Sequence, residues 1–242
     1  MQLKQKLSVL LVLLFIVPAT KLCAQENQFS GWAAWFHSQR LSEHWGYSFD
    51  GQFRSHDELS YLKHILLRPS ANYYFANNKV AALGYAYIAT NGRTPAGDKT
   101  FRPEHRIWQQ YTYSHKLGKQ IAVAHRFRLE QRFLGQTANN KNDDYFSQRF
   151  RYFVRGVIPF KNDSAVFSKG PFLALQNEVF VNLQNKNRVN KHFFDQNRAY
   201  VAIGYRVSKK FDVETGYLNQ YIKQAEAYTL NHVAQLAIYT RF

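Results

Sequence analysis

The sequence predicts an all-β fold: an antiparallel transmembrane β-barrel of about 12 strands, with about 10 as the smaller option, and a charged lumen. Three observations lead there. The chain opens on an export leader, its later segments alternate apolar and charged residues with period two, and aromatic side chains are abundant although the chain is polar on average.

The leader comes first in the chain. Lys4 and Lys6 give a positive start, Leu7 to Val17 is apolar apart from Ser8, and Pro18 ends the run. Ala24 then offers a small residue before Gln25, which completes the three-part layout of a secretory signal, so residues 1–24 are expected to be cleaved. The apolar run is about 11 residues, short of the roughly 20 a spanning helix needs. A lipid-modified cysteine wants a small residue directly before it, and Lys21-Leu22 before Cys23 argues against that modification. Cleavage after Ala24 removes the one cysteine and with it any disulfide framework or thiolate chemistry. Residues 25–242 then make one all-β domain of ordinary size.

Period two is clearest between Lys119 and Leu134. Ile121, Val123, Phe127, Leu129 and Phe133 share one parity, and Arg126, Arg128, Glu130 and Arg132 share the other. A strand sends successive side chains to opposite faces, so this one has a greasy face and a charged one, whereas a helix would scatter the arginines around its cylinder. From Tyr145 to Phe160, Phe146, Phe150, Tyr152 and Val154 oppose Ser147, Arg149, Arg151 and Arg155. Leu173, Leu175, Val179 and Val181 oppose Gln176, Glu178 and Asn182; Val201, Ile203 and Tyr205 oppose Gln196, Arg198 and Arg206. Val213, Tyr217 and Tyr221 oppose Asp212, Glu214 and Gln220, and the last segment sets Ala234, Leu236 and Ile238 against Asn231, Gln235 and Arg241. Noisier segments near 29–41, 44–55, 62–75, 79–90 and 102–117 carry Arg54, Arg68, Glu104 and Arg106. Pro69 and Pro103 weaken two of them locally.

Short connections (near 42–43, 76–78, 117–118 and 208–210) alternate with long polar ones (near 56–61, 91–100, 135–144 and 184–194). Short periplasmic turns and long external loops give outer-membrane barrels this rhythm, which the long link at 161–170 interrupts. The segments number eleven, whereas single-chain bacterial barrels expect an even count. Either the segment before Leu41 stays out of the wall or a twelfth strand is added, and the second option is the expectation.

Aromatic residues make up 17% of a chain whose mean hydropathy is −0.45. A water-soluble globule would have to bury them in an apolar core, whereas a barrel wall can turn them to lipid. Trp32, Trp35, Trp45 and Trp108, with the many tyrosines, are expected in interfacial girdles. The net charge is +16, only three units of which leave with the leader lysines. An exported chain meets little nucleic acid, so the charge points to anionic lipid head groups or to ion pairing in the lumen.

The candidate lumen network is Glu104, Arg106, Arg126, Arg128, Glu130, Arg132, Arg149, Arg151, Arg155, Glu178, Arg198 and Glu214. Two readings stay open: mutually paired charges filling a narrow barrel, or an arginine-lined, porin-like path for small anionic solutes. Arginines around Glu130 and Glu178 would keep both ionised, which excludes a glycosidase acid pair. His105, His125 and His232 fall on the outward parity, where an interfacial position is expected. The residues 139–144 lack the Gly and terminal Glu of a calcium loop, and no metal or other cofactor is expected. No catalytic set stands out, so a non-enzymatic role leads. The alternatives are a lipid-modifying enzyme of phospholipase or deacylase type and a docking protein working through its loops. The His-x-Ser spacing of the outer-membrane phospholipase is missing.

Two resemblances add to this. The terminal LAIYTRF, with Leu236, Ile238 and Phe242 on alternate positions, resembles the signal read by the barrel-assembly machinery. The stretches HRFRLEQRF (125–133), QRFRYFVRGVIPF (148–160), NEVF (177–180), FDQNRAYVAIGYRVS (194–208) and VETGYLNQY (213–221) resemble a family of uncharacterised barrels common in Bacteroidetes, domain of unknown function 2490. That resemblance implies a bacterial outer membrane, with its lipids and lipopolysaccharide as partners, and supplies no activity.

Overall fold

A computed structural model of the chain describes residues 25–94, 96–118, 121–136, 143–160 and 167–242. The expected leader, Cys23 and most of the 139–144 loop lie outside these residues. The strands run β1 (Gln25–Arg40), β2 (Trp45–Ser55), β3 (Leu62–Ala76), β4 (Lys79–Arg93), β5 (Lys99–Leu117) and β6 (Ile121–Leu134). They continue as β7 (Tyr145–Pro159), β8 (Gly170–Gln184), β9 (Phe194–Ser208), β10 (Phe211–Lys223) and β11 (Tyr228–Arg241). Each pairs antiparallel with its sequence neighbours, and the sheet closes into a barrel of eleven strands. No helix among the described residues is long and apolar enough to cross a membrane.

The closure is parallel: Gln25 lies opposite Tyr228 and Ser38 opposite Arg241 across the β1–β11 seam. An odd number of alternating strands leaves the last running in the direction of the first, so the ring can close only this way. The even count expected from antiparallel closure therefore gives way to the eleven segments themselves. The segment before Leu41 is a full member of the wall, paired on both edges.

Pro69 is accommodated at a gap in pairing, where β3 meets β4 at Leu67–Tyr87 and again at Ser70–Gly84. A residue without an N–H is tolerated there because no ladder bond is asked of it. Pro103 pairs across from Ala89, and its carbonyl accepts from the Gly135 amide at 2.8 Å.

Alternation divides the wall into two surfaces. Leu67, Leu83, Ile107, Phe127, Val201, Ile203 and Leu236 point outward and are exposed, while Arg106, Arg128, Glu130, Arg151 and Glu178 point inward and are buried. Apolar groups share the interior: Trp32, Phe172, Ala174, Tyr200, Ala202, Leu218 and Val233 form one cluster, with Val157 and Phe167 against it. Two glycines make room for aromatic rings lying flat on the inner wall. A Cβ at Gly84 would stand 2.1 Å from the Trp108 ring opposite it, and one at Gly204 would stand 2.2 Å from Phe172.

The tryptophans correct one expectation. Trp35 and Trp45 are outward and 46% and 56% exposed, but Trp32 and Trp108 are inward and only 7% and 3% exposed. The inward pair carries guanidiniums: Arg54 stands 3.8 Å from the Trp32 ring centre and Arg128 4.1 Å from that of Trp108. A large flat ring fills the lumen while its face attracts the cations that share it.

Candidate functional site

Strand register assembles the lumen charges. Glu130 on β6 lies opposite Arg149 on β7, and next to them Arg128 lies opposite Arg151. Arg106 on β5 faces Arg132 on β6. Like charges placed directly across a strand pair repel, and here a shared carboxylate relieves each case. Glu104 accepts both forks of Arg106 (2.7 and 2.9 Å) and the Nε of Arg132 (2.7 Å). Glu130, 1% exposed, accepts from Arg151 (2.5 Å), Arg149 (2.8 Å) and Arg106 (3.4 Å). Arg128 approaches it at 3.9 Å but spends its hydrogen bonds on Gln110 (2.6 and 2.9 Å).

The chain of pairs continues around the barrel. Glu178 accepts from Arg151 and Arg126, both at 2.7 Å, and Asp195 takes the other side of Arg149 at 2.9 Å. Nearer the short-turn end, Glu214 accepts from Arg155 (2.5 Å) and from the Tyr239 hydroxyl (2.8 Å). Of the residues singled out in the sequence, eleven thus join ion pairs among the described residues and Arg198 does not. Multiple donors on each buried carboxylate are what an ionised group needs when water is excluded.

Arg198 belongs to a second, differently built region. It lies opposite Glu178 in register, yet its guanidinium turns to rings, 4.7 Å from the Phe180 centre and 5.2 Å from that of Trp32. One bond goes to Gln196 Oε1 (3.2 Å), while its Nε is buried without a partner among the described residues. Arg54 stands over the same indole and, among the described residues, donates its side-chain bonds to Gln52 Oε1. Arg68 pairs with Asp50 at 2.6 Å, but its Nε is likewise unpartnered. Sequence reading had placed Arg54 and Arg68 within strands without drawing them into the network. Inward parity beside outward Phe53 and Leu67 was the available signal.

These groups surround a cavity of about 350 Å³ that opens at the end of the long connections. Trp32, Arg54, Arg68, Arg106 and Arg198 line one part, and Leu66, Ile88, Leu134 and Ile222 line another. The ion-pair lattice borders it as well, through Glu104, Arg106, Arg132, Arg149 and Arg151. Most of the lining is polar or charged, and arginines dominate it, so the space suits a polar, anionic guest better than an apolar one.

On the outer wall, histidines are matched with hydroxyls. Tyr85 contacts His105 (2.5 Å), Tyr152 contacts His125 (2.9 Å) and Tyr217 contacts His232 (2.6 Å), each through Nδ1. Among the described residues, no three His, Cys, Asp or Glu side chains converge as metal ligands. At the seam, Phe242 is tied to β1 through Ser38 O (2.9 Å) and Arg40 N (2.7 Å), with Leu236 and Phe242 exposed outward. Ile238 lies between Trp35 and Val213.

A closed eleven-strand barrel with a charge-filled lumen is therefore the class of protein the fold and site define. The family described as Protein of unknown function (DUF2490) matches residues 29–231, and the chain belongs to it. The match reaches well into the N-terminal part, upstream of the stretches between 125 and 221 that carry the resemblance. An uncharacterized protein of Methylorubrum extorquens is 30% identical over 199 residues, covering 81% of this chain and 80% of the relative. No solved structure matches.

Proposed function

We propose that this protein is an exported outer-membrane barrel, non-enzymatic, whose lumen is closed by its own side chains and receives small anionic solutes at one mouth. The observation that carries the reading is the division of the wall: exposed Leu, Ile, Val and Phe outside, a paired arginine–carboxylate lattice inside. Such a surface is costly in water and natural in lipid. The Tyr–His contacts support it, because polar groups facing hydrocarbon need partners from the protein. On this reading the outer lipids and lipopolysaccharide surround the wall, and the assembly machinery reads Leu236, Ile238 and Phe242.

The test is fractionation followed by planar-bilayer recording of the detergent-purified protein. Outer-membrane recovery with heat-modifiable migration and no steady conductance is the expected result. A steady conductance that turns less anion-selective in Arg151→Glu would replace the closed lumen with a passage, and recovery in the soluble fraction would end the membrane reading.

A second reading, a lipid-modifying enzyme, has one contact in its favour. The Thr240 hydroxyl lies 2.8 Å from His37 Nδ1 on the outer wall, beside a groove lined by Trp35, Tyr47, Phe49 and Leu83. A base within reach of a hydroxyl is the minimum for nucleophilic chemistry. Fatty-acid release from phospholipid that vanishes in Thr240→Ala would favour it.

A further inference from the structure

The lumen contains two arginines that do not belong to its ion-pair lattice, and both stand on one indole. Arg54 and Arg198 come from β2 and β9, far apart around the wall, yet their guanidinium carbons lie 3.8 and 5.2 Å from the Trp32 ring centre. Neither contacts a carboxylate among the described residues, while other arginines on the same cavity share Glu104, Glu130 and Glu178. A filler role would be served better by pairing, since an uncompensated buried charge is costly. Arg198 and Arg68 both line the same cavity, and the Nε of each is buried without a partner among the described residues.

From this geometry we infer that Arg54, Arg198 and Trp32 form a binding site for a soluble organic phosphate monoester. The inference rests on the proposed anion-receiving lumen and names its ligand class. Two guanidiniums with no carboxylate in contact among the described residues match a group carrying nearly two negative charges, as a phosphate monoester does. A tetrahedral head offers oxygens in several directions, so forks approaching from β2 and β9 can both be satisfied. A single carboxylate would leave one arginine uncompensated. Leu66, Ile88 and Leu134 on the same cavity suit an apolar body attached to that head. Two sources could present this chemistry, a soluble ester or a lipid head group, and a cavity inside the wall favours the soluble one.

Phenyl phosphate is the probe, titrated calorimetrically into the full-length protein in detergent and followed by tryptophan fluorescence. Binding is expected to weaken roughly tenfold or more in Arg54→Gln and in Arg198→Gln, each losing charge-assisted bonds. Arg241→Gln, at the opposite end of the barrel, should bind as the parent does. Inorganic phosphate should bind more weakly, lacking the body, and benzoate more weakly still, lacking the charge. Trp32→Phe should lose most of the fluorescence response while heat binding remains measurable. Unchanged phenyl phosphate affinity in both arginine variants, with the barrel still heat-resistant, would overturn the site. Saturation by lipid A with no response to phenyl phosphate would also overturn it, assigning the arginines to a lipid head group. A barrel that fractionates to the outer membrane and does not conduct, yet binds no phosphate ester, would fail this inference alone.

Discussion

The lumen holds two arginine regions of the same residue type and opposite logic. At the centre of the lattice Glu130 takes bonds from Arg106, Arg149 and Arg151, and each of these also meets a second carboxylate. Around Trp32, Arg54 and Arg198 rest on rings and amides instead. The first region solves the problem of filling a barrel with charge; the second leaves charge unspent beside an open cavity. Partnering therefore separates arginines that hold the barrel together from arginines free to hold something else.

Glu130→Ala breaks that contrast from the structural side and should have the largest effect. It takes a shared carboxylate from Arg106, Arg149 and Arg151, leaving each with one acid, at a cost of about 3–5 kcal/mol, read as lost heat resistance on gels or a lower thermal midpoint. An unchanged midpoint would mean the lattice is not what holds the lumen. Gly84→Val comes next. Its side chain would collide with Trp108, whose face carries Arg128, and the overpacking should cost about 1–3 kcal/mol by the same measurement.

Removing one hydroxyl outside the lumen should cost less. Tyr85→Phe takes the partner from His105 Nδ1 and should lower stability by about 1 kcal/mol. No change in detergent but a loss in lipid vesicles would place that pair against hydrocarbon. The smallest effect is expected from Arg54→Gln, within about 0.5 kcal/mol of the parent, because no carboxylate loses its partner. A loss as large as that of Glu130→Ala would erase the distinction between the two regions.

Much of this was readable in the chain. Inward parity alone picked out Glu104, Glu130, Glu178 and the arginines that meet on them, since period two is a local property of a strand. The segment from Tyr145 to Phe160 and the strand Tyr145–Pro159 differ by one residue for the same reason. Trp32 and Trp108 were misassigned because a large aromatic fits a lipid girdle and a lumen equally well in one dimension. Their inward parity beside exposed Ala33 and Ile107 was the clue that residue type overrode.

Sequence by itself determined the barrel class, the approximate place of each strand and which face of most strands is charged, because all of these follow from alternation along a single segment. Only the tertiary structure decided the parallel seam, since closure depends on strand count around the ring. It also decided which arginines are paired. Arg54 and Arg198 are separated by most of the chain, and no local pattern records that they share one indole.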